Sequence, residues 1–239
     1  MPASFTHFSI ADVVFQNASP SLQEKMQADL PLYYFGAQGA DFCFFYRTIP
    51  NMKPNLGSHL HREGSFSAFL TLHSLSKRNP AILAYALGYI THYVADTTFH
   101  PFIYASGGEN PLRHSRLESL LDLHVSKRIE KSTNLSLFRS KFTDEEKELL
   151  FLLYCAIATK AQLPLPKKAP FLRAISLFNA TMPLPNLIFN TFTPNLLTQL
   201  FDADKLFQLT IKRSLTLMET FLNDPLSKRV FGKNFLTGK

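Results

Sequence analysis

Apolar residues recur at intervals of three and four over residues 8–15, 66–75, 82–103, 117–129, 149–157 and 206–222. That spacing gathers side chains on one face of a 3.6-residue helix, so each stretch predicts a helix. No comparably long stretch alternates with period two, and β-branched residues are sparse within these segments. The pattern therefore predicts an all-α fold of at least six helices. Boundary chemistry agrees with it: Ser19-Pro20 and Asn79-Pro80 each supply a helix N-cap followed by a first-turn proline, and Thr143 with Glu146 three residues later matches a capping box.

Between residues 162 and 194 the pattern changes, with Pro164, Pro166, Pro170, Pro183, Pro185 and Pro194 interrupting short apolar pieces. Proline removes a backbone donor and breaks helical runs, so this region reads as a connector around one short helix at 171–178. Phe171, Leu187, Ile188, Phe189 and Phe192 lie beside Lys167, Lys168 and Arg173 in this stretch. Two readings stay open for them: a transient contact with a membrane surface, or packing against the bundle.

With 239 residues, 46% of them hydrophobic, the chain is long enough to bury a full core without staples. The expected organisation is a helical core over residues 1–135, the part that carries the candidate chemistry, and a helical C-terminal part over 136–239 packed on the same domain. Only Cys43 and Cys155 are present, far apart and in apolar stretches. This argues against a disulfide framework or a thiolate metal site, and both thiols are expected to be buried and inert. The longest apolar run, 149–158, is well short of the roughly 20 residues a membrane span needs. The first residues lack a basic stretch followed by an apolar run and a small-residue cleavage site, which gives a cytoplasmic location as the expectation. A formal net charge of +7 favours anionic partners such as phospholipid surfaces, nucleic acid or phosphate esters. The basic residues are scattered, and their small clusters read as solvated helix surface.

The densest chemistry runs from Thr91 to Glu118. His92 and Asp96, Asp96 and His100, and His114 and Glu118 are each spaced i, i+4, so each pair shares one helix face. Imidazole nitrogens and carboxylate oxygens together suit zinc. A single such pair is commonly just a hydrogen-bonded arrangement. Three pairs in an otherwise apolar stretch are different, because burying that many charged groups without a metal or partner costs several kcal/mol each.

The helix-borne H-x-x-x-D, a third histidine followed by proline, and then, with thirteen residues between the histidines, H-x-x-x-E resemble the ligand pattern of the zinc-dependent phospholipase C family, which is related to the S1/P1 nucleases. His7 in T-H-F-S-I-A, Asp41 in F-G-A-Q-G-A-D-F and His61 in H-R-E-G resemble the family's upstream ligands. The likeness spans roughly residues 1–130. It implies a multi-helix phospholipase C/P1 nuclease-like bundle with the metal cluster in a core cleft, holding two or three zinc ions. One ion would sit with Asp41, His61, His92 and Asp96, a second with His100, His114 and Glu118, and a third with His7 and Asp96. His59 is the alternative to His61. His73 and His124 have no family counterpart and read as packed or exposed helix residues.

The family completes its third site with the main chain of an N-terminal Trp, and this chain has no Trp; Pro2, exposed by removal of Met1, is the candidate replacement. The resemblance nominates Asp41 as the group that orients or deprotonates the attacking water, and Arg62 and Glu63 as residues that steady the ligands. Its leading implication is phospholipase C-type cleavage of a glycerophospholipid to diacylglycerol and a phosphorylated head group. An S1/P1-type nuclease or 3′-nucleotidase acting on nucleic acid is the alternative, and a metal-stabilised binding protein without turnover is the third reading. Glu118 as the last ligand and the short gap from His100 to His114 favour the phospholipase branch.

Overall fold

The computed structural model describes residues 4–48, 56–107, 110–129, 141–181 and 202–239. Eleven α-helices and one 3-10 helix occur among them, with no strand. In chain order they are α1 (Ser4–Asn17), α2 (Pro20–Gln27), α3 (Leu30–Gly36), the 3-10 helix (Asp41–Thr48), α4 (Leu56–Arg62), α5 (Ser65–Ser76), α6 (Pro80–Gly107), α7 (Pro111–Ile129), α8 (Asp144–Lys160), α9 (Lys168–Thr181), α10 (Ala203–Asn223) and α11 (Lys228–Phe231). The three anticipated boundaries carry their caps: Ser19 Oγ accepts from the Leu22 amide, Asn79 Oδ1 from those of Ala81 and Ile82, and Thr143 and Glu146 exchange side-chain bonds with each other's backbone amides.

The 28-residue α6 is the axis of the molecule. Helices α1, α2, α3, α5, α7 and α10 all pack against it. Such a helix is apolar nearly all round, because its middle, residues 84–96, has no solvent side. Its closest neighbour is α3. A Cβ on Gly36 would stand 2.2 Å from the Tyr85 carbonyl oxygen, and one on Gly88 would stand 1.9 Å from that of Tyr33. The two backbones therefore touch only because both positions are glycine.

Five short elements have no counterpart in the periodicity: α2, whose start only its cap announced, α3, the 3-10 helix, α4 and α11. In α3 every residue from Leu32 to Gly36 is buried, so no polar face marks its period, and its start is fixed instead by the Asp29 side chain accepting from the Leu32 amide. Helix α9 is longer than the anticipated 171–178, because Pro170 falls in its first turn, where a missing N–H costs nothing. Phe171 is buried on α9 against Phe42 and Tyr154. It therefore belongs to the core and not to a membrane-facing surface; Leu187, Ile188, Phe189 and Phe192 lie outside the described residues. Cys43 is buried as expected, whereas Cys155 is only half-buried on α8. No helix among the described residues is long and apolar enough to cross a membrane.

Candidate metal centre

Helix α6 presents His92, Asp96 and His100 at successive i, i+4 positions along the side that faces α1 and α7. His7 comes from the first turns of α1, Asp41 from the start of the 3-10 helix, His61 from the last turn of α4, and His114 and Glu118 from α7. Four elements thus converge on one helix. His7, Asp41, His61, His92, Asp96, His100 and Glu118 are all buried, while the His114 side chain retains 18% exposure.

The donor atoms fall into linked groups. His61 Nε2 lies 3.0 Å from Asp41 Oδ1, 3.3 Å from His92 Nε2 and 3.6 Å from Asp96 Oδ2, and His92 Nε2 lies 3.4 Å from the same Asp96 oxygen. His7 Nε2 is 3.2 Å from the other oxygen, Asp96 Oδ1, so Asp96 bridges from His61 and His92 to a further histidine. Farther along α6, His100 Nε2 and His114 Nε2 lie 3.2 and 2.8 Å from Glu118 Oε1. Ligands about 2.0–2.1 Å from a tetrahedral zinc stand roughly 3.3 Å from one another. These spacings are close to that value without any ion to impose them. Asp41 Oδ2 and Nδ1 of His7, His92, His100 and His114 are buried with no hydrogen-bond partner among the described residues. The donor set and its spacing fit zinc.

The electrostatics point the same way. Burial would push the Asp96 carboxyl up, but the surrounding histidines overcome it and hold Asp96 well below the usual carboxylate range. Burial similarly opposes ionisation of Glu118, and hydrogen bonds from His100 and His114 bring it down to about 2. Burial would lower His100, yet Asp96 and Glu118 raise it to about 9, and carboxylate neighbours likewise raise His7 and His61 against their burial. His92, enclosed among imidazoles, is lowered by burial to about 4. Without metal, protons on histidine offset the carboxylates; a bound cation takes over that role and releases them.

The loop before the 3-10 helix is shaped around His92. Gly39 has φ +57°, and a Cβ there would fall 2.0 Å from His92 Cδ2. Glycine is required both by the backbone and by the imidazole. The Gly39 carbonyl lies 3.3 and 3.2 Å from the hydroxyls of Tyr85 and Tyr154, which are 2.7 Å apart, so one hydroxyl donates to the carbonyl and the other to its neighbour. Tyr154 belongs to α8, which places the C-terminal half in direct support of the turn carrying Asp41.

His59 does not enter the cluster: its Nδ1 faces the Glu63 carboxylate at 3.2 Å, and Glu63 is 79% exposed. Glu63 and the exposed Arg62 therefore do not steady the ligands, because α4 turns both toward solvent. His73 packs its ring on Phe221, and His124 pairs with Asp204 at 2.8 Å. Pro2 lies outside the described residues. Asp122, one turn beyond Glu118 on α7, is a residue that the sequence pattern did not single out. It is buried and accepts hydrogen bonds from the Phe5 and Thr6 amides and the Thr6 hydroxyl, at 3.3, 2.8 and 2.7 Å, clamping the start of α1 next to His7. Its i, i+8 relation to His114 was the available signal.

No curated protein and no solved structure matches the chain. The family comparison matches the chain to the zinc-dependent phospholipase C family over residues 6–162. That span contains all eight converging side chains and the Gly39 turn, and it covers well over half of the sequence. A buried histidine and carboxylate set with zinc-like spacing, inside a match of that length, supports a zinc-dependent phosphoesterase; the chain belongs to the zinc-dependent phospholipase C family.

Proposed function

We propose that the protein hydrolyses a glycerophospholipid at the phosphodiester bond on its glycerol side, giving diacylglycerol and a phosphorylated head group. The observation that carries this reading is the pair of donor groups meeting along α6, with a small cavity between them. Thr6, His7, Ala95, Asp96, Phe99, His100, Ile103, Glu118 and Leu121 line it. Ligand side chains from both donor groups and apolar side chains share this lining.

Asp41, His61, His92 and Asp96 would hold one zinc and His100, His114 and Glu118 another, with His7 and Asp96 available to a third. When bound, zinc supplies Lewis acidity toward the phosphoryl oxygens and activates water for attack. The chain's residues set the rest. His114, the most exposed ligand, marks the side from which a phosphoester enters. Asp41 has one oxygen committed to His61 and the other, Oδ2, without a partner among the described residues, which leaves an acceptor for the proton lost by water. Attack of that water on phosphorus breaks the bond to the glycerol oxygen, which leaves with a proton as diacylglycerol. The net charge of +7 draws the anionic substrate in.

Release of phosphorylated head group from mixed phospholipid vesicles, compared between the zinc-loaded protein and its His100→Ala variant, tests the reading. Turnover that disappears in the variant supports it. Cleavage of single-stranded DNA with no lipid turnover would move the protein to the nuclease branch, and silence on both substrates would leave the binding role.

A further inference from the structure

The C-terminal residues lie beyond the span shared with the family, yet they return to the metal centre. After α10 the chain forms α11 and then a turn closed by Asn234, whose side chain accepts from the Leu236 and Thr237 amides. Tyr93, on α6 one residue past His92, anchors this segment twice. Its hydroxyl donates to the Val230 carbonyl at 2.7 Å and accepts from the Lys233 amide at 3.1 Å. The Ser65 hydroxyl donates to the Lys233 carbonyl.

These anchors deliver Phe235, which is fully buried, to His61. The Phe235 amide donates to the His61 carbonyl at 2.8 Å. Helix α4 is only seven residues long, and its last carbonyls have no partner inside the helix, so this bond caps the end that carries the ligand. The Phe235 ring stands 4.9 Å from the His61 imidazole and 5.7 Å from that of His92, both near edge-on. Phe44 also lies against this ring, 5.2 Å from His61. His61 Nδ1 donates to the Gly57 carbonyl at 2.7 Å, which leaves Nε2 aimed at Asp41 and His92. The imidazole is therefore fixed at its Nδ1, at its backbone and on its ring, and two of these three restraints come from Phe235 or depend on it.

We propose that Phe235 is a positioning residue for His61: the C-terminal segment caps α4 and walls the imidazole so that the Asp41, His61, His92 and Asp96 group is held ready for its ion. This rests on the reading of the cluster as a zinc centre. Partners that orient a metal ligand typically govern affinity by about 10–100-fold.

The experiment uses the full chain and two readouts: the rate at which zinc passes to a chromogenic chelator, and the visible spectrum of the cobalt-substituted protein. Phe235→Ala and Tyr93→Phe are compared with Phe178→Leu, a buried change that contacts Phe35 and Phe45 and not the cluster. The expected result is zinc release accelerated about tenfold or more and an altered cobalt band in the first two, neither change in Phe178→Leu, and partial restoration by Phe235→Leu. If Phe235→Ala does not fold, Tyr93→Phe decides, because it keeps the ring and deletes only the anchoring hydroxyl. Wild-type release and spectrum in the folded variants, or the same change in Phe178→Leu, overturns the proposal. Failure of the unaltered protein to hold zinc at all instead overturns the metal reading beneath it.

Discussion

The two donor groups are built in opposite ways. The group of Asp41, His61, His92 and Asp96, extended by His7, is enclosed: its members come from α1, the 3-10 helix, α4 and α6, and Tyr154 and Phe235 hold it from parts of the chain far away in sequence. The group of His100, His114 and Glu118 comes from two consecutive helices, and one member reaches solvent. The enclosed group is part of the core, so disturbing it disturbs the fold. The open group can be altered at His114 with little structural consequence, which is the arrangement expected of the side where substrate arrives.

The largest effect is expected from Asp96→Ala. It leaves His7, His61 and His92 buried without their shared carboxylate, and removing one partner of a buried ionic set costs about 3–5 kcal/mol. Zinc content and thermal stability should fall together; full zinc content in the folded variant would contradict the bridging role of Asp96. Gly39→Ala is next, at about 2 kcal/mol or more, because the new Cβ meets both an unfavourable φ and the His92 ring. Chemical denaturation checks this, and a stability equal to wild type would mean that the turn is not what seats His92.

Asp122 joins the two groups, since α7 carries it beside the open group while it clamps the start of α1 next to His7. Burial pushes its carboxyl from the ordinary 3.8 up to about 7, against the hydrogen bonds from Thr6 and Phe5. Between those values the unfolded chain is ionised and the folded one protonated, so stability falls as pH rises through the window and levels off above it. Asp122→Asn should remove up to about 1.4 kcal/mol per pH unit of that slope in the metal-free protein. Parallel pH–stability curves for variant and wild type would show that Asp122 is already ionised in the fold.

His114→Ala sharpens the comparison from the open side. Its stability should change by about 1 kcal/mol or less, as for a partly exposed site, while head-group release falls by more than tenfold. A large loss of stability would make the open group as structural as the enclosed one. The smallest effect belongs to His59→Ala, which removes a solvated i, i+4 pair worth about 0.3–0.5 kcal/mol. Zinc content and turnover should stay at wild-type levels, and a loss of either would return His59 to the ligand set.

Helices that bury one face were legible from spacing, and so was their capping, because both are written in residues three or four positions apart. Helix α3, buried from Leu32 onward, and short α4 were not, since the first has no polar face to set a period and the second spans barely two turns. In the cluster, the i, i+4 pairs of α6 and α7 were readable for the same local reason as the helices. The choice between His59 and His61 was not, because two residues along a short helix point to opposite sides and only the packing of α4 decides which is inward. Arg62 and Glu63 were misjudged on the same ground: adjacency in sequence places a side chain near a ligand, not toward it.

By itself the sequence determined an all-helical chain whose histidines and carboxylates are spaced for zinc, because periodicity and donor type are local properties. The tertiary structure alone decided that Gly39 makes room for His92, that Tyr154 holds the turn before Asp41, that Asp122 secures His7 and that Phe235 walls His61. Each of these joins positions between about 50 and 170 residues apart, and no local pattern encodes such contacts; they exist only once burial has brought the helices together around α6.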